Sequence, residues 1–151
     1  MAGAEKRIQE LGIELPALPA PGGNYVSAKT AGSVVYLAGV ISTNAVGVIS
    51  GTVGLDRTVE DGYAAARACA LTQLAVLRKH LGSLDAVRSV ISVNGYVNAV
   101  AGFADSSKVI NGASDLLIEV WGDAGLHARA AIGVSALPKN ALAEVQMAVE
   151  V

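Results

Sequence analysis

The sequence predicts an α+β domain in which one sheet is backed by two helices, and three observations carry this prediction. The chain has 151 residues, which suits a single domain, since typical domains hold roughly 100 to 200 residues. Apolar residues recur every three or four positions in two separate segments, as they do in helices that pack by one face. β-Branched runs lie before, between and after those segments and are typical of strands. Helices and a sheet bury their apolar faces against one another, which gives the two-layer arrangement.

The first fifteen residues have the pattern of a short amphipathic helix. Its apolar positions are Ile8, Leu11 and Ile13. Three prolines that follow would stop a helix there, namely Pro16, Pro19 and Pro21. We therefore expect residues 1–22 to form an N-terminal arm and residues 23–151 to form one domain.

The domain is expected to open with a β-hairpin. Residues 25–29 and 33–40 are rich in valine, tyrosine and leucine, and Ala31-Gly32 between them suits a tight turn. The next residues, up to Leu55, are interrupted by Gly, Ser and Asn, and Asp56 or Thr58 supplies an N-cap for the helix that follows.

The first long helix is predicted to begin near Val59 and to end at Gly82, because its apolar residues step by three and four. They are Val59, Tyr63, Ala66, Ala70, Leu74, Leu77 and Leu81. A strand at residues 87–97 follows, and then a second helical stripe that stops at Gly122. That stripe consists of Val109, Ile110, Ala113, Leu116, Leu117, Val120 and Trp121.

Two closing strands, residues 128–136 and 142–151, are expected to flank a turn at residues 137–140, where Pro138 presets the backbone. Alternation in the last strand places four apolar side chains on one face, namely Val145, Met147, Val149 and Val151. The other face then carries Glu144, Gln146, Ala148 and Glu150.

Composition excludes several classes of function. The net charge of −2 gives no broad positive field for a phosphate backbone, so nucleic acid is disfavoured as the main partner. Apolar residues make up 52% and charged residues 16%, where about 25% charged is usual, yet glycines and polar residues interrupt every apolar run that could span a membrane. We expect the apolar surplus to be buried between subunits of a homo-oligomer.

The cysteine and histidine inventory favours a cytoplasmic protein without a metal. Cys69 is the single cysteine, so an internal disulfide is impossible, and the first residues lack the apolar stretch of a signal peptide. His80 and His127 have no carboxylate or thiolate neighbours at metal-ligand spacing. Cys69 lies among alanines in the first helix, where a small packing residue is commoner than a nucleophile.

Arg129 is the candidate functional residue, because its neighbours from Ala128 to Val134 are small or apolar. A guanidinium in such a strand either reaches solvent or meets an anion, and its planar fork matches a carboxylate in two parallel hydrogen bonds. Glu144, on the polar face of the last strand, could orient a water molecule or accept its proton. A snorkelling arginine and a solvated glutamate are the alternatives, and they are commoner for isolated residues.

Several motifs resemble the Rid (YjgF-like) family of enamine/imine deaminases. The shared segments are Gly23-Asn24-Tyr25-Val26, Tyr36-Leu37-Ala38-Gly39, Ala128-Arg129, Leu137-Pro138-Lys139 and Ala143-Glu144-Val145. The resemblance extends from about Tyr25 to the C-terminus and identifies the chain as a divergent member. It implies the chorismate-mutase-like fold, with one mixed β-sheet packed on two helices, and a homotrimer with ligand clefts between subunits.

The resemblance also implies an activity and a set of site residues. In the family, small reactive 2-enamine and 2-imine acids such as 2-iminopropanoate are hydrolysed to 2-keto acids and ammonia, without a metal or an organic cofactor. Arg129 would hold the substrate carboxylate, and Glu144 would position the attacking water. The residues implied to line the cleft are Tyr25, Ala38, Gly39, Asn111 and Ala131, with Tyr25 reaching in from the neighbouring subunit.

Two departures from the family keep other functions open. Ala38 stands where the family commonly has serine, and Ala131 stands where it commonly has cysteine. A trimer that binds a small carboxylated metabolite or stabilises proteins without turnover is therefore the alternative. A ribonuclease, an activity of some relatives, ranks last because the chain is acidic, has 4% aromatic residues and lacks a histidine pair.

Overall fold

The strands and helices of the chain follow the predicted order. The structure, a computed structural model, describes residues 3–18 and 20–151. Met1, Ala2 and Pro19, which belong to the expected arm, lie outside the described residues. The helices are α1 (Ala4–Glu10), α2 (Val59–Leu81) and α3 (Ser106–Trp121), with 3₁₀ turns at Leu84–Ala86, Gly122–Gly125 and Pro138–Asn140. The strands are β1 (Ala28–Ala31), β2 (Val34–Leu37), β3 (Val40–Ile41), β4 (Thr43–Asn44), β5 (Gly47–Val48), β6 (Ser89–Asn98), β7 (Ala128–Val134) and β8 (Ala143–Glu150).

One mixed sheet organises the domain, as predicted. Its strand order is β1-β2-β8-β6-β7, and the short β3 also pairs with β8. Every pairing is antiparallel except β6 with β7, which run parallel because α3 carries the chain back between them. A separate two-stranded ladder, β4 with β5, was not predicted; it forms within the segment rich in Gly, Ser and Asn.

The opening hairpin lies slightly later in the chain than predicted. Strand β1 begins at Ala28, so Tyr25 lies before the sheet instead of inside the first strand. Ala31 pairs with Val34, which makes Gly32 and Ser33 the turn, and Gly32 has a φ of +61° that suits glycine. The residue composition located the hairpin approximately, and the turn residues determine the register of its strands.

Helix α2 has the predicted bounds, and its two ends explain why. Thr58 accepts a hydrogen bond from the Asp61 amide at 3.1 Å, and the Asp61 carboxylate accepts one from the Thr58 amide at 2.9 Å. This reciprocal capping box makes Thr58 the N-cap, not Asp56, and its hydrogen bonds lower the pKa of Asp61. Gly82 ends the helix in the left-handed conformation at φ +84°.

Helices α2 and α3 cover one face of the sheet. Val145, Met147 and Val149 of β8 point toward them and are 0 to 2% exposed, as their alternation predicted. The two helices are in close contact at Gly112, where a Cβ atom would overlap the backbone carbonyl of Tyr63. Glycine is therefore required there for the backbones of α2 and α3 to pass each other.

The arm helix packs onto the domain. Ala4 and Ile8 of α1 are buried in the same apolar cluster as the sheet residues. Glu5 accepts hydrogen bonds from Arg78 on α2, at 2.6 Å from Nη2, and from the Leu84 amide at 2.9 Å. Burial opposes the charge of Glu5, but these hydrogen bonds prevail and lower its pKa. An apolar contact and an ion pair thus hold α1 in place.

The opposite face of the sheet carries no helix among the described residues. Tyr36 and Ile132 on that face are 57% and 49% exposed. Glu144 lies on the same face, in one cross-strand row with Tyr96 and Ile41. Within the described residues, no helix is long and apolar enough to cross a membrane.

Candidate functional site

Arg129 lies on β7, the edge strand, on the face that packs against α3. Its strand partner is Val93 of β6, which is fully buried under the helices, and paired residues of neighbouring strands share a face. The Arg129 Nη1 donates to Asn111 Oδ1 at 2.8 Å and to Ser114 Oγ at 3.0 Å. Its Nη2 donates to the Ser107 carbonyl at 3.4 Å. The structure therefore brings Asn111, in the second turn of α3, to Arg129.

Within the described residues, no carboxylate pairs with Arg129. Its three partners are an amide oxygen, a hydroxyl and a backbone carbonyl, all of them uncharged. A guanidinium has five N–H donors, so the Nε–H and one N–H of Nη2 remain without a partner in this part of the chain. Arg129 is half-buried, and less water competes for such a group than for a fully exposed one. The arrangement fixes the cation without neutralising it.

Behind Arg129, Ser114 and His127 form a short hydrogen-bonded chain. His127 Nδ1 lies 2.7 Å from the Gly125 carbonyl, and His127 Nε2 lies 2.8 Å from Ser114 Oγ. A carbonyl only accepts, so Nδ1 carries the hydrogen in the neutral ring, and Nε2 accepts from the Ser114 hydroxyl. The Ser114 oxygen then accepts from Arg129. We refer to Arg129, Asn111, Ser114 and His127 as the arginine site.

Glu144 is half-buried on the other face of the sheet. A Cβ atom on Gly39 would lie 3.0 Å from its Oε2, so the bare glycine backbone leaves room for the carboxylate. Burial raises the pKa of Glu144, and no described residue donates a hydrogen bond that would offset it. A carboxylate with a raised pKa holds a proton more readily than an exposed one. We refer to Glu144, Gly39 and Tyr96 as the glutamate site.

Gln73 on α2 fixes the backbone around the glutamate site. Its Nε2 donates to the Ala38 carbonyl and to the Val145 carbonyl, both at 2.9 Å. Gln73 is fully buried, and its Oε1 has no hydrogen-bond partner within the described residues. The paired bonds tie the chain before Gly39 to the strand that carries Glu144.

The two sites lie on opposite faces of the same sheet. Val93 pairs with Arg129, whereas Tyr96 pairs with Glu144, and successive side chains of β6 alternate between the faces. Ala131 pairs with Gly95 and so lies on the Arg129 side, while Gly39 lies beside Glu144. One protomer therefore does not bring Arg129 and Glu144 to the same ligand.

Within the described residues, the two remaining candidates make no hydrogen bond with a residue of either site: Tyr25 bonds to Gly22, and Cys69 bonds to the Ala143 carbonyl. Tyr25 is 50% exposed, and its hydroxyl accepts a hydrogen bond from the Gly22 amide at 3.0 Å. Cys69 is fully buried, and burial raises the pKa of its thiol, which agrees with a packing role. Among the described residues, one surface cavity of about 560 Å³ lies between α1 and the end of α3, and another of about 640 Å³ lies beside His80. Neither of these cavities is lined by Arg129 or Glu144.

Sequence reasoning missed Ser114, Gln73 and the contact made by His127. Two spacings could have found the arginine site: Ser114 follows Asn111 by three positions on a helix, and His127, the residue before β7 begins, precedes Arg129 by two positions. Residues at these spacings lie on the same side of a helix and of an extended chain, respectively. Gln73 has a weaker signal, since it is a polar residue directly beside Leu74 in the apolar stripe.

Comparisons with known proteins identify a family and a relative of this chain. Residues 5–151 match a family described as "YjgF/chorismate_mutase-like, putative endoribonuclease". Protein TCP17 of Trypanosoma cruzi is 45% identical over 145 residues, which cover 95% of this chain and 91% of that protein.

Two solved structures are similar over nearly the whole chain. Atu1372 of Agrobacterium tumefaciens, a protein of unknown function, is 40% identical with a TM-score of 0.87 and covers 98% of this chain and 91% of its own. A Shewanella oneidensis protein described as a "putative endoribonuclease" is 32% identical with a TM-score of 0.94, and the match covers 99% of this chain and 100% of that protein. The shared architecture extends to α1.

Proposed function

The chain belongs to the YjgF/chorismate mutase-like family, and we propose that it hydrolyses small reactive 2-imino acids, with their 2-enamine tautomers, to 2-keto acids and ammonia. In this reaction a water oxygen bonds to the imine carbon, the carbon–nitrogen bond then breaks, and ammonia leaves with the transferred protons. 2-Iminopropanoate, the tautomer of 2-aminoacrylate, is a representative substrate, and pyruvate is its product.

The state of Arg129 is the observation that carries the proposal. Neutral acceptors fix the guanidinium, and two N–H donors remain for a ligand. A carboxylate could accept both in parallel, which would orient the adjacent imine carbon for attack. Arg129 thus supplies binding and orientation, and Asn111 helps to aim it.

Glu144 would hold the attacking water. Its raised pKa improves its ability to take a proton from that water as the new carbon–oxygen bond forms. Gly39 leaves the carboxylate accessible on the uncovered face, and Gln73 holds the adjacent backbone. The water would thereby approach the substrate from the side opposite to the arginine clamp.

A second copy of the chain would unite the two sites. Arg129 and Glu144 lie on opposite faces of one protomer, and the uncovered sheet face exposes Tyr36 and Ile132. A ring of copies, the homotrimer of our sequence analysis, would bury that face and set the glutamate site of one copy near the arginine site of the next. The remaining cleft residue, Tyr25, would then cover the ligand from the neighbouring copy.

A binding function without turnover is the second candidate. Ala38 and Ala131 offer no side-chain donor or acceptor beside the two sites, so fewer groups are available to move protons. Such a trimer would bind the small carboxylate through Arg129 and release it unchanged. Turnover measurements separate the two candidates.

The family description mentions endoribonuclease activity, which we rank behind both. The net charge is −2, and the two histidines occupy separate places: His80 bonds to Thr30, and His127 bonds to Ser114. A histidine pair that shares acid and base roles on one phosphate is therefore not assembled within a protomer.

The direct test generates 2-aminoacrylate in situ with a dehydratase and follows keto-acid release. We expect the native chain to accelerate release above the spontaneous rate, and Arg129→Ala and Glu144→Gln to remove most of the acceleration. Arg88→Ala is the matched control, since Arg88 is an exposed arginine outside both sites. Equal rates for the native chain and Arg129→Ala would overturn the proposed role of Arg129.

A further inference from the structure

We propose that Ser114 and His127 are positioning residues for Arg129, with the neutral His127 ring setting the direction in which the Ser114 hydroxyl accepts. This inference rests on the proposed function for its consequence, since the aimed guanidinium is the proposed carboxylate clamp. The hydrogen-bond pattern on which it stands is independent of any ligand.

Three distances determine the direction of each hydrogen in the chain. The Gly125 carbonyl takes the hydrogen of His127 Nδ1 at 2.7 Å, so in the neutral ring Nε2 is an acceptor. The Ser114 hydroxyl hydrogen goes to Nε2 at 2.8 Å, so the Ser114 oxygen turns a lone pair toward Arg129 Nη1 at 3.0 Å. If His127 carried its hydrogen on Nε2, the Ser114 oxygen would accept from both His127 Nε2 and Arg129 Nη1. The Ser114 hydroxyl hydrogen would then lose Nε2 as its acceptor.

Ser114 acts through Arg129 and not on the ligand itself. Its side chain is buried at 7% exposure, while Arg129 and Asn111 beside it reach the surface. Ser114 and Asn111 together take both hydrogens of Nη1, which prevents rotation of the guanidinium plane. The Nε–H and one N–H of Nη2 thereby remain as donors for an anion.

The charged side chains of α3, the helix that carries Ser114, have partners other than the arginine site, and one further acidic residue lies in the adjoining turn. On α3, Asp115 accepts from Tyr63, Glu119 pairs with Arg67, and Lys108 pairs with Asp105. Asp123 belongs to the 3₁₀ turn that supplies the Gly125 carbonyl. The imidazole is therefore bonded to a neutral hydroxyl and a neutral carbonyl.

Two substitutions of similar size separate a positioning role from a structural one. His127→Gln can place an amide oxygen where Nε2 accepts, whereas His127→Leu fills the space without an acceptor. The probe is 2-ketobutyrate, a small 2-keto acid of the class proposed as the product. We expect His127→Leu and Ser114→Ala to weaken its binding about tenfold or more, as loss of a hydrogen bond to a charged group does. His127→Gln should stay within a few-fold of the native chain.

Matched controls come from His80 and Ser33. His80→Leu removes the other histidine, which lies near the end of α2 and bonds to Thr30 of β1. Ser33→Ala removes an exposed hydroxyl in the hairpin turn. Both should leave the dissociation constant of 2-ketobutyrate unchanged. A His127→Leu protein that folds normally and binds as tightly as His127→Gln would overturn the proposal.

A ligand-free measurement keeps the inference separate from the proposed function. Nitrogen NMR of the two imidazoles should show a hydrogen on Nδ1 of His127 and none on Nε2, and the Arg129 Nε–H signal should shift in Ser114→Ala and His127→Leu but not in His127→Gln. Failure of the native chain to bind 2-ketobutyrate would count against the proposed function alone. A hydrogen on Nε2, or an unchanged Arg129 signal in all variants, would refute the positioning pair.

Discussion

Gly112→Ala is expected to destabilise the protein, even though alanine favours helices more than glycine does. The new Cβ would overlap the Tyr63 carbonyl oxygen and lie 3.2 Å from the Arg67 amide nitrogen. Both are backbone atoms of α2, so no side-chain rotation can relieve the overlap, and the helices must separate. Overpacking of this kind costs roughly 3 kcal/mol at the upper end of its usual range. The helix propensity of alanine returns about 1 kcal/mol.

The expected net loss is therefore about 2 kcal/mol, or about 4 to 8 °C in the melting temperature of a chain of this size. Thermal unfolding followed by circular dichroism measures it. Ser107→Ala, at an exposed position of the same helix, is the control and should melt at or slightly above the native temperature. Because Asn111 and Ser114 move with α3, Gly112→Ala should also weaken 2-ketobutyrate binding. A variant as stable as the native chain would refute the close approach of the helices.

Three further predictions concern ionisation and capping. Burial raises the pKa of Glu144, so ionisation of this carboxyl lowers the stability of the folded chain at pH values above the unfolded pKa. Glu144→Gln should therefore have a higher melting temperature than the native chain at about pH 7.5, and this difference in melting temperature should vanish near pH 3.5. An equal difference in melting temperature at both pH values would contradict this role of burial. The same rise in melting temperature for Glu14→Gln, at an exposed position, would also contradict it. The lowered pKa of Glu5 means that its stabilisation is present above the unfolded pKa and fades as the pH falls through the folded pKa. Glu5→Gln should lower the free energy of unfolding by roughly 1 kcal/mol at neutral pH and speed amide hydrogen exchange in α1. Unchanged exchange would refute the role of the Glu5–Arg78 ion pair in holding α1. Thr58→Ala should cost about 1 kcal/mol by loss of the capping box, measured by urea unfolding, and no loss would contradict the cap.

The elements with strong periodicity could be predicted from the sequence. Helix α2 has the expected bounds because its apolar stripe and both ends, Thr58 and Gly82, give independent local signals. The alternation of β8 correctly separated Val145 from Glu144. The start of β1 and the β4–β5 ladder were missed, since a hairpin's register depends on which residues form the turn, and short strands have too few positions to show a period.

The candidate site could be predicted only in part. Arg129 was predicted as a functional residue because its neighbours are small or apolar. The family resemblance predicted Asn111 as a cleft residue, and the structure places Asn111 within hydrogen-bond distance of Arg129. Ser114 lies on α3 and His127 lies just before β7, so their contact depends on how these segments pack. The spacing within each segment indicates only that Ser114 lies on the same side as Asn111 and His127 on the same side as Arg129. The separation of Arg129 and Glu144 onto opposite faces follows from the two registers in which β7 and β8 pair with β6, and sequence spacing does not determine these registers.

Complementation between two inactive variants tests the shared site most directly. Arg129→Ala retains Glu144, and Glu144→Gln retains Arg129, so a mixed ring contains interfaces at which both native side chains meet. With random mixing, about a quarter of the interfaces should be intact, and keto-acid release should recover to about that fraction of the native rate. Mixed assemblies that stay as inactive as either parent variant, while the native chain is active, would contradict a site built from two copies.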